Sequence, residues 1–345
     1  MTGKVLLRGA FGLLVLFLLA CSERPPRAEF RHIGLALGTS FSVKVTRLPE
    51  GVDPEELRDR LDRLLEEVDE RMSTYRPDSE LTRFNRSRTT RWQPVSPQLA
   101  RVVAEALEIS RWSGGAFDVT VGPLVNLWGF GPDPRTGKKP SAEAVRAAKV
   151  RTGYRNLEVR MRPPALRKRI PELYVDLSAI AKGWAVDRLA EYLERQGIGD
   201  YLVEIGGELR LKGRSPRGGP WRIAIEKPVA GVRAVGKILT LTDTAVATSG
   251  DYRNYFEVDG RRFSHTIDPR TGYPVSHRLA SVTVLRHTCM RADGLATAFM
   301  VMGPEQGYAR AEAENIPVLF LVKDEGGFRE RATSAFRQII EGGSS

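Results

Sequence analysis

At 345 residues, with 41% hydrophobic and 28% charged side chains, the chain is long enough to bury a substantial core and too apolar to remain disordered. Its two cysteines, neither spaced with histidines as a zinc site requires, exclude a disulfide framework and a zinc module. The formal charge of +11 is carried by scattered arginines, and no apolar stretch reaches the roughly 20 residues that a membrane-spanning helix needs.

Residues 1–20 run from Lys4 and Arg8 through an apolar block, Phe11 to Leu19, to Ala20. This is the pattern of a short export signal. Leu18-Leu19-Ala20-Cys21 resembles a bacterial lipobox, which makes Cys21 the candidate for lipidation; an ordinary signal peptide cut nearby is the alternative. Residues 21–31, with Pro25-Pro26, read as a linker holding a domain off a membrane. The body of the protein is then 32–330, with a tail at 331–345. After processing, Cys289 is alone and reads as a small buried hydrophobe.

Alternating apolar residues predict a half-buried strand at 40–45. Leu57, Leu61, Leu64, Leu65, Val68 and Met72 recur at helical spacing and predict a helix over 54–72. A second helix spans 97–113 and stops at Gly114-Gly115, with a strand expected after it. The run 146–169 carries nine basic residues and one acid, Glu158. It reads as a helix end followed by a hairpin turning at Pro163-Pro164. Attraction to anionic lipid headgroups suits it better than nucleic acid, for which no motif is present.

An apolar strand is expected at 173–177 and a helix at 181–196 closed by Gly197. Strands follow at 201–211, 221–226, 238–242, 252–258, 262–267 and 280–284, then a helix at 292–302 and a last strand at 318–321. Consecutive strands interrupted by helices predict an α+β fold with mixed, largely antiparallel sheets and packed helices.

Four segments place polar residues where a core has no use for them. Asp176 to Gly183 passes from a buried segment into a helix with Lys182 in the first turn. A carboxylate and a lysine beside unpaired helix-start N–H groups suit a phosphate or a metal-bound phosphate, or else form a structural ion pair. Asp293 and Thr297, four apart, stack on one helix face as an oxygen-rich half-site for Mg²⁺, or Asp293 caps the helix. His265 precedes a Pro- and Gly-defined turn, where imidazole would serve as general base or phosphate ligand, and Asp268-Pro269 initiates that turn. Gly114-Gly115-Ala116-Phe117-Asp118 would let backbone approach a ligand.

Together with Leu37-Gly38-Thr39, Met72-Ser73-Thr74-Tyr75, Asp78-Ser79-Glu80-Leu81, Phe84-Asn85, Glu204-Ile205-Gly206-Gly207-Glu208 and Thr248-Ser249-Gly250, these segments resemble the ApbE family of periplasmic flavin transferases in family order, from about Gly34 to Gly327. The resemblance implies an ApbE-like fold and transfer of FMN from FAD to a threonine hydroxyl of an acceptor protein, with Mg²⁺ required and AMP released. It implies Ala179, through its backbone oxygen, with Asp293 and Thr297 as the metal set. Leu37, Tyr75, Ala116, Phe117, Asp118, Asp176, Lys182 and Ile267 would face FAD, with Tyr75 or Phe117 packing on a ring of the dinucleotide. His265, Asp293 and Lys182 would carry the chemistry, with Asp268 or a metal-bound oxygen as alternatives to His265 for the proton. Acceptors would be threonine-bearing subunits of Nqr- or Rnf-type electron-transfer complexes. The enzyme would sit lipid-anchored on the periplasmic side of the cell membrane, the inner rather than the outer. An FAD pyrophosphatase and a non-catalytic FAD-binding lipoprotein are the competing readings.

Overall fold

The computed structural model describes residues 30–131, 139–227, 235–251, 255–258 and 261–342. Cys21, the export signal and all but the last two residues of the linker lie outside them.

An eight-stranded, fully antiparallel sheet organises the molecule, in the order β1 (Phe30–Ala36), β2 (Thr39–Val45), β6 (Tyr201–Ile205), β7 (Glu208–Lys212), β10 (Thr244–Gly250), β15 (Leu279–Arg286), β16 (Val318–Asp324) and β17 (Gly327–Ala332). Its interior strand β15 is buried along all but its last residue, because both faces of the sheet are covered.

On one face Val43, Val203, Ala247, Val282 and Phe320 pack with the long helices α1 (Pro54–Met72), α3 (Pro97–Trp112), α6 (Ala181–Arg195) and α7 (Cys289–Met302). On the other, Leu209, Leu211, Leu285 and Leu319 meet Trp221 and Ile223 of the hairpin β8 (Trp221–Glu226) and β9 (Val235–Leu241), and Phe336 of α9 (Ser334–Gly342). Around this frame lie α2 (Glu80–Arg86), α4 (Gly122–Leu127), α5 (Ala142–Lys149) and α8 (Pro304–Ala313). A small sheet runs in the order β3 (Gln93–Pro94), β5 (Pro164–Lys168), β4 (Leu157–Met161). Two further hairpins are β11 (Tyr255–Val258) with β12 (Arg261–Ser264) and β13 (Ile267–Asp268) with β14 (Tyr273–Pro274).

The α+β architecture is the one the sequence predicts. α1 begins where Asp53 accepts the amides of Glu55 and Glu56 at 2.8 and 3.0 Å, has Pro54 in its first turn, and buries the predicted leucine stripe. The hairpin at Pro163-Pro164 forms as expected, and Glu158 pairs with Arg167 and Arg169. Lys168 leaves that basic run for the interior, where its ammonium donates to the carbonyls of Ser87 at 2.7 Å and Asn85 at 3.0 Å.

Several expectations are corrected. Leu173, Val175 and Leu177 are buried but 173–177 form no strand, because the pairing is made by a side chain: Asn85 Nδ2 donates to Val175 O and Asn85 Oδ1 accepts from Val175 N, both at 2.8 Å. The alternation of Leu173, Val175 and Leu177 reported burial, not a ladder. No strand follows Gly114-Gly115; the chain turns into α4 instead. Residues 201–211 divide into β6 and β7 at Gly206-Gly207, whose φ values of +62° and +106° make the hairpin turn. The strand expected at 262–267 breaks between Ser264 and Ile267, and the helix expected to begin at 292 begins at Cys289. The stretch set aside as a tail from 331 finishes β17 and forms α9, with Phe336 fully buried. Asn85→Leu is expected to lower stability by about 2–4 kcal/mol in urea unfolding, because it orphans two buried backbone groups. An unchanged midpoint and slope would refute that role.

Candidate active site at the crossing of two helices

The crossing of α6 and α7 is set by Gly183. A side-chain carbon there would fall 2.5 Å from the Cys289 carbonyl oxygen and 2.8 Å from Asp293 Cβ, so the two backbones touch as no larger residue would allow. At this contact the Gly183 amide donates to Asp293 Oδ2 at 3.0 Å. Gly183 is the third residue of α6, so its amide has no acceptor within the helix, and Asp293 supplies one. The Ala179 carbonyl, in the turn just before α6, accepts no backbone donor among the described residues. Thr297 stands one turn further along α7 on the face of Asp293.

Asp293 is 4% exposed, and burial raises the pKa of its carboxyl against the opposing pull of Lys182 and the Gly183 amide. Lys182 Nζ lies 3.0 Å from Glu208 Oε2. Burial acts to lower the lysine pKa, but Glu208 and Asp293 outweigh it and hold the ammonium above its ordinary value. Glu208, buried at the first position of β7, is pushed up to about 7, mainly by burial and further by Asp293, with Lys182 opposing. The centre of the site is thus one lysine shared by two buried carboxylates. Sequence reading assigned no role to Glu208 or Gly183. The available signal was an acid directly after a glycine pair at the head of a strand.

The loop leading into α6 carries the next part. Asp176 donates its amide to Val119 O at 2.7 Å and accepts the Ser178 amide at 2.9 Å, which fixes the turn into Ala179. Tyr75 is 71% exposed, and its phenol pKa is raised by partial burial and then by the charge of Asp176, so the two share one neighbourhood. Leu37 occupies the first position of the two-residue turn between β1 and β2. With φ of +52°, followed by Gly38 at +72°, it has the backbone of a type I′ hairpin. The turn lies at the Glu208 end of the sheet, since Ser40 O accepts the Gly206 amide at 3.0 Å.

Two expected ligand contacts are altered by packing. The Phe117 ring belongs to the core, which leaves Tyr75 as the aromatic surface open to a ligand. The Asp118 carboxylate is turned inward: Oδ1 accepts from Thr120 N and Oγ1 at 2.8 and 2.6 Å, and Oδ2 from Tyr154 N at 2.8 Å. Burial raises its pKa despite these bonds. Asp118 and the buried Ala116 therefore shape the loop from within, and any approach to a ligand from this segment is by backbone.

Ile267 is buried against Leu124, Trp128 and Val145, and Trp128 Nε1 donates to Gly272 O at 2.9 Å, clamping the turn after β13 to α4. His265, between β12 and β13, presents its ring edge-on to Phe130 with centroids 6.2 Å apart. Asp268 is committed to the turn, as expected. Its oxygens accept from Arg270 N, Nε and Nη2, each at 2.9 Å, and its carbonyl accepts the Gly272 amide at 2.7 Å. That engagement argues against Asp268 as a proton acceptor. Cys289 is fully buried and inert, its thiol pKa raised well above the ordinary value by burial.

Among the described residues no three His, Cys, Asp or Glu side chains gather. The donors at the helix crossing are instead the Ala179 carbonyl, the Asp293 carboxylate and the Thr297 hydroxyl. A carboxylate oxygen beside neutral oxygens is the donor chemistry of a hard divalent cation such as Mg²⁺. Asp293 Oδ1 and Thr297 Oγ1 make no hydrogen bond among the described residues, so the set fits such an ion.

Comparisons with known proteins point to one family. The ApbE family model matches residues 37–320. A FAD:protein FMN transferase of Vibrio cholerae is 53% identical over 326 residues, covering 94% of this chain and 96% of that protein, and one from Escherichia coli K12 is 38% identical over 336 residues, covering 94% and 95%. Among solved structures, the flavin transferase ApbE of V. cholerae superposes with a TM-score of 0.83 at 52% identity, covering 90% of this chain and 98% of that one. The apo flavinyl transferase ApbE of Pseudomonas stutzeri superposes with the same TM-score at 44% identity, covering 90% and 96%. On this match, which runs from the Leu37 turn into β16, the chain belongs to the ApbE family.

Proposed function

We propose that the chain transfers FMN from FAD to a threonine hydroxyl of an acceptor protein, in a reaction that needs Mg²⁺. The observation that carries the reading is the Asp293 carboxylate held against the head of α6 by the Gly183 amide, with Thr297 one turn along α7 and the Ala179 carbonyl just before α6 accepting no backbone donor among the described residues. In the reaction the hydroxyl oxygen attacks the FMN phosphorus, a phosphoester bond forms, the P–O–P bond breaks and AMP leaves with the bridging oxygen. Ala179 O, Asp293 and Thr297 would hold Mg²⁺, which supplies charge neutralisation of the pyrophosphate when bound.

The chain's own residues do the rest. Lys182, kept protonated by Glu208 and Asp293, brings fixed positive charge to the head of α6, where the helix dipole also favours anions. Tyr75 offers an exposed aromatic face for a ring of the dinucleotide. Leu37 and Ile267 border the flavin side, and Asp176 holds the loop that presents Ala179. His265 takes the proton of the acceptor hydroxyl. His265→Ala is therefore expected to reduce transfer about 10²- to 10⁴-fold while FAD still binds. Unchanged turnover removes His265 from the mechanism.

The function is tested by incubating the soluble part of the chain with FAD, Mg²⁺ and a threonine-bearing domain of an Nqr- or Rnf-type subunit, then looking for covalent flavin fluorescence on a denaturing gel. A band abolished by EDTA supports the transferase. AMP released without a labelled acceptor points to a pyrophosphatase, and bound FAD with neither product to a flavin carrier. We further propose that Cys21 is lipidated and anchors the enzyme on the periplasmic face of the inner membrane. Incorporation of labelled fatty acid that persists in Cys21→Ser would overturn the anchor.

A further inference from the structure

α7 is a buried helix whose first amides need acceptors. Thr288, at its N-cap, has the extended backbone of a capping residue (φ −114°, ψ 140°), yet its side chain accepts no hydrogen bond there. The acceptor comes from α6. Asp187, 2% exposed, takes the Cys289 amide on Oδ1 and the Met290 amide on Oδ2, both at 2.9 Å. Arg210 Nη1 reaches Oδ1 at 3.0 Å, and its Nη2 reaches Glu194 at 3.1 Å. Glu194 also accepts the Tyr201 hydroxyl at 2.6 Å.

Asp187 lies one turn beyond Gly183, and Asp293 one turn beyond Cys289. Each helix therefore supplies the carboxylate that satisfies an amide near the start of the other: Asp293 for Gly183 and Asp187 for Cys289 and Met290. At the point between these exchanges the backbones are in contact, because Gly183 has no side chain. A cap supplied from within α7 would satisfy the same amides without tying the helix to α6.

We infer that Asp187 is a positioning residue for Asp293: it fixes where α7 begins relative to α6, and so where the Asp293 and Thr297 oxygens stand against the Ala179 carbonyl. The inference rests on the metal reading above. Mg²⁺ demands near-ideal octahedral geometry, and ligands held loosely by their supporting contacts lose affinity. An asparagine at 187 keeps the size but accepts only one amide and sets its own NH₂ against the other.

The test uses the purified full-length protein with Mn²⁺ as the probe, titrated by electron paramagnetic resonance, and amide hydrogen exchange at Gly183 in the metal-free protein. Asp187→Asn should weaken Mn²⁺ about 10- to 100-fold and speed exchange at Gly183. Adding Thr288→Asp restores a cap from within α7. The double variant should regain thermal stability while Mn²⁺ affinity stays low, and it decides the matter if the single variant is too unstable to isolate. Recovery of Mn²⁺ affinity together with stability would show that Asp187 merely caps, and would overturn the inference. So would wild-type exchange and wild-type affinity in Asp187→Asn. If the wild type binds no Mn²⁺ but exchange at Gly183 still responds to Asp187→Asn, the metal reading falls and the positional coupling stands.

Discussion

Asp293→Asn is expected to cut flavin transfer by about three orders of magnitude while leaving the fold in place. Asparagine preserves the shape and retains an oxygen for the Gly183 amide, so the α6 and α7 contact survives. The substitution removes the negative charge, and with it the anionic member of the oxygen set at Ala179 and Thr297. Losing cation stabilisation of a pyrophosphate transition state is worth several kcal/mol, and about 4 kcal/mol corresponds to a thousandfold in rate. The measurement is single-turnover labelling of an acceptor domain across a Mg²⁺ series, with circular dichroism to confirm folding. Retained labelling at saturating Mg²⁺ would remove Asp293 from the reaction centre.

Lys182→Met should be the most destabilising single change at the site, by about 3–5 kcal/mol at neutral pH, because it strips the cation from a buried ion pair. Glu208 and Asp293 would then face each other with no positive charge between them. The pH dependence follows from Glu208. Its folded pKa, about 7, lies above the ordinary glutamate value of 4.5, chiefly because of burial. A carboxyl raised in this way costs nothing below the unfolded pKa, where both states are protonated. The cost accumulates as pH rises through the folded value. Removing Lys182 raises that pKa further, so the gap between wild type and variant should be widest near pH 8 and narrow towards pH 5. Glu208→Gln in the Lys182→Met background should recover much of the loss. Urea unfolding at pH 5, 6.5 and 8 reads all three, and a gap that stays constant with pH would mean that Glu208 is not the group responsible.

The residues whose role depends on local spacing were legible in the sequence. The leucine stripe of α1, the extent of α6 with Gly197 after it, and the pairing of Asp293 with Thr297 on one face all follow from the 3.6-residue helical period. The motifs in family order carried the flavin reading, because they span nearly every element around the site. Alternation alone misassigned 173–177: it reports which side chains are buried, and the Asn85 amide that takes the place of a neighbouring strand is 90 residues away. The burial of the Phe117 ring was hidden for the same reason. A phenylalanine after two glycines looks available to a ligand until the helices that enclose it are assembled.

By itself the sequence determined the antiparallel α+β class, the long helices, the family and the oxygen donors on α7. The class and the helices are set by periodicity, the family by motifs spread along the chain, and the Asp293 and Thr297 pair by its four-residue spacing. The tertiary structure alone decided that the Gly183 amide finds its acceptor in Asp293, that Lys182 of α6 pairs with Glu208 of β7, and that Asp187 caps a helix not its own. Those relations join residues far apart in the chain, and their energies arise from burial that exists only when the helices and sheet have packed.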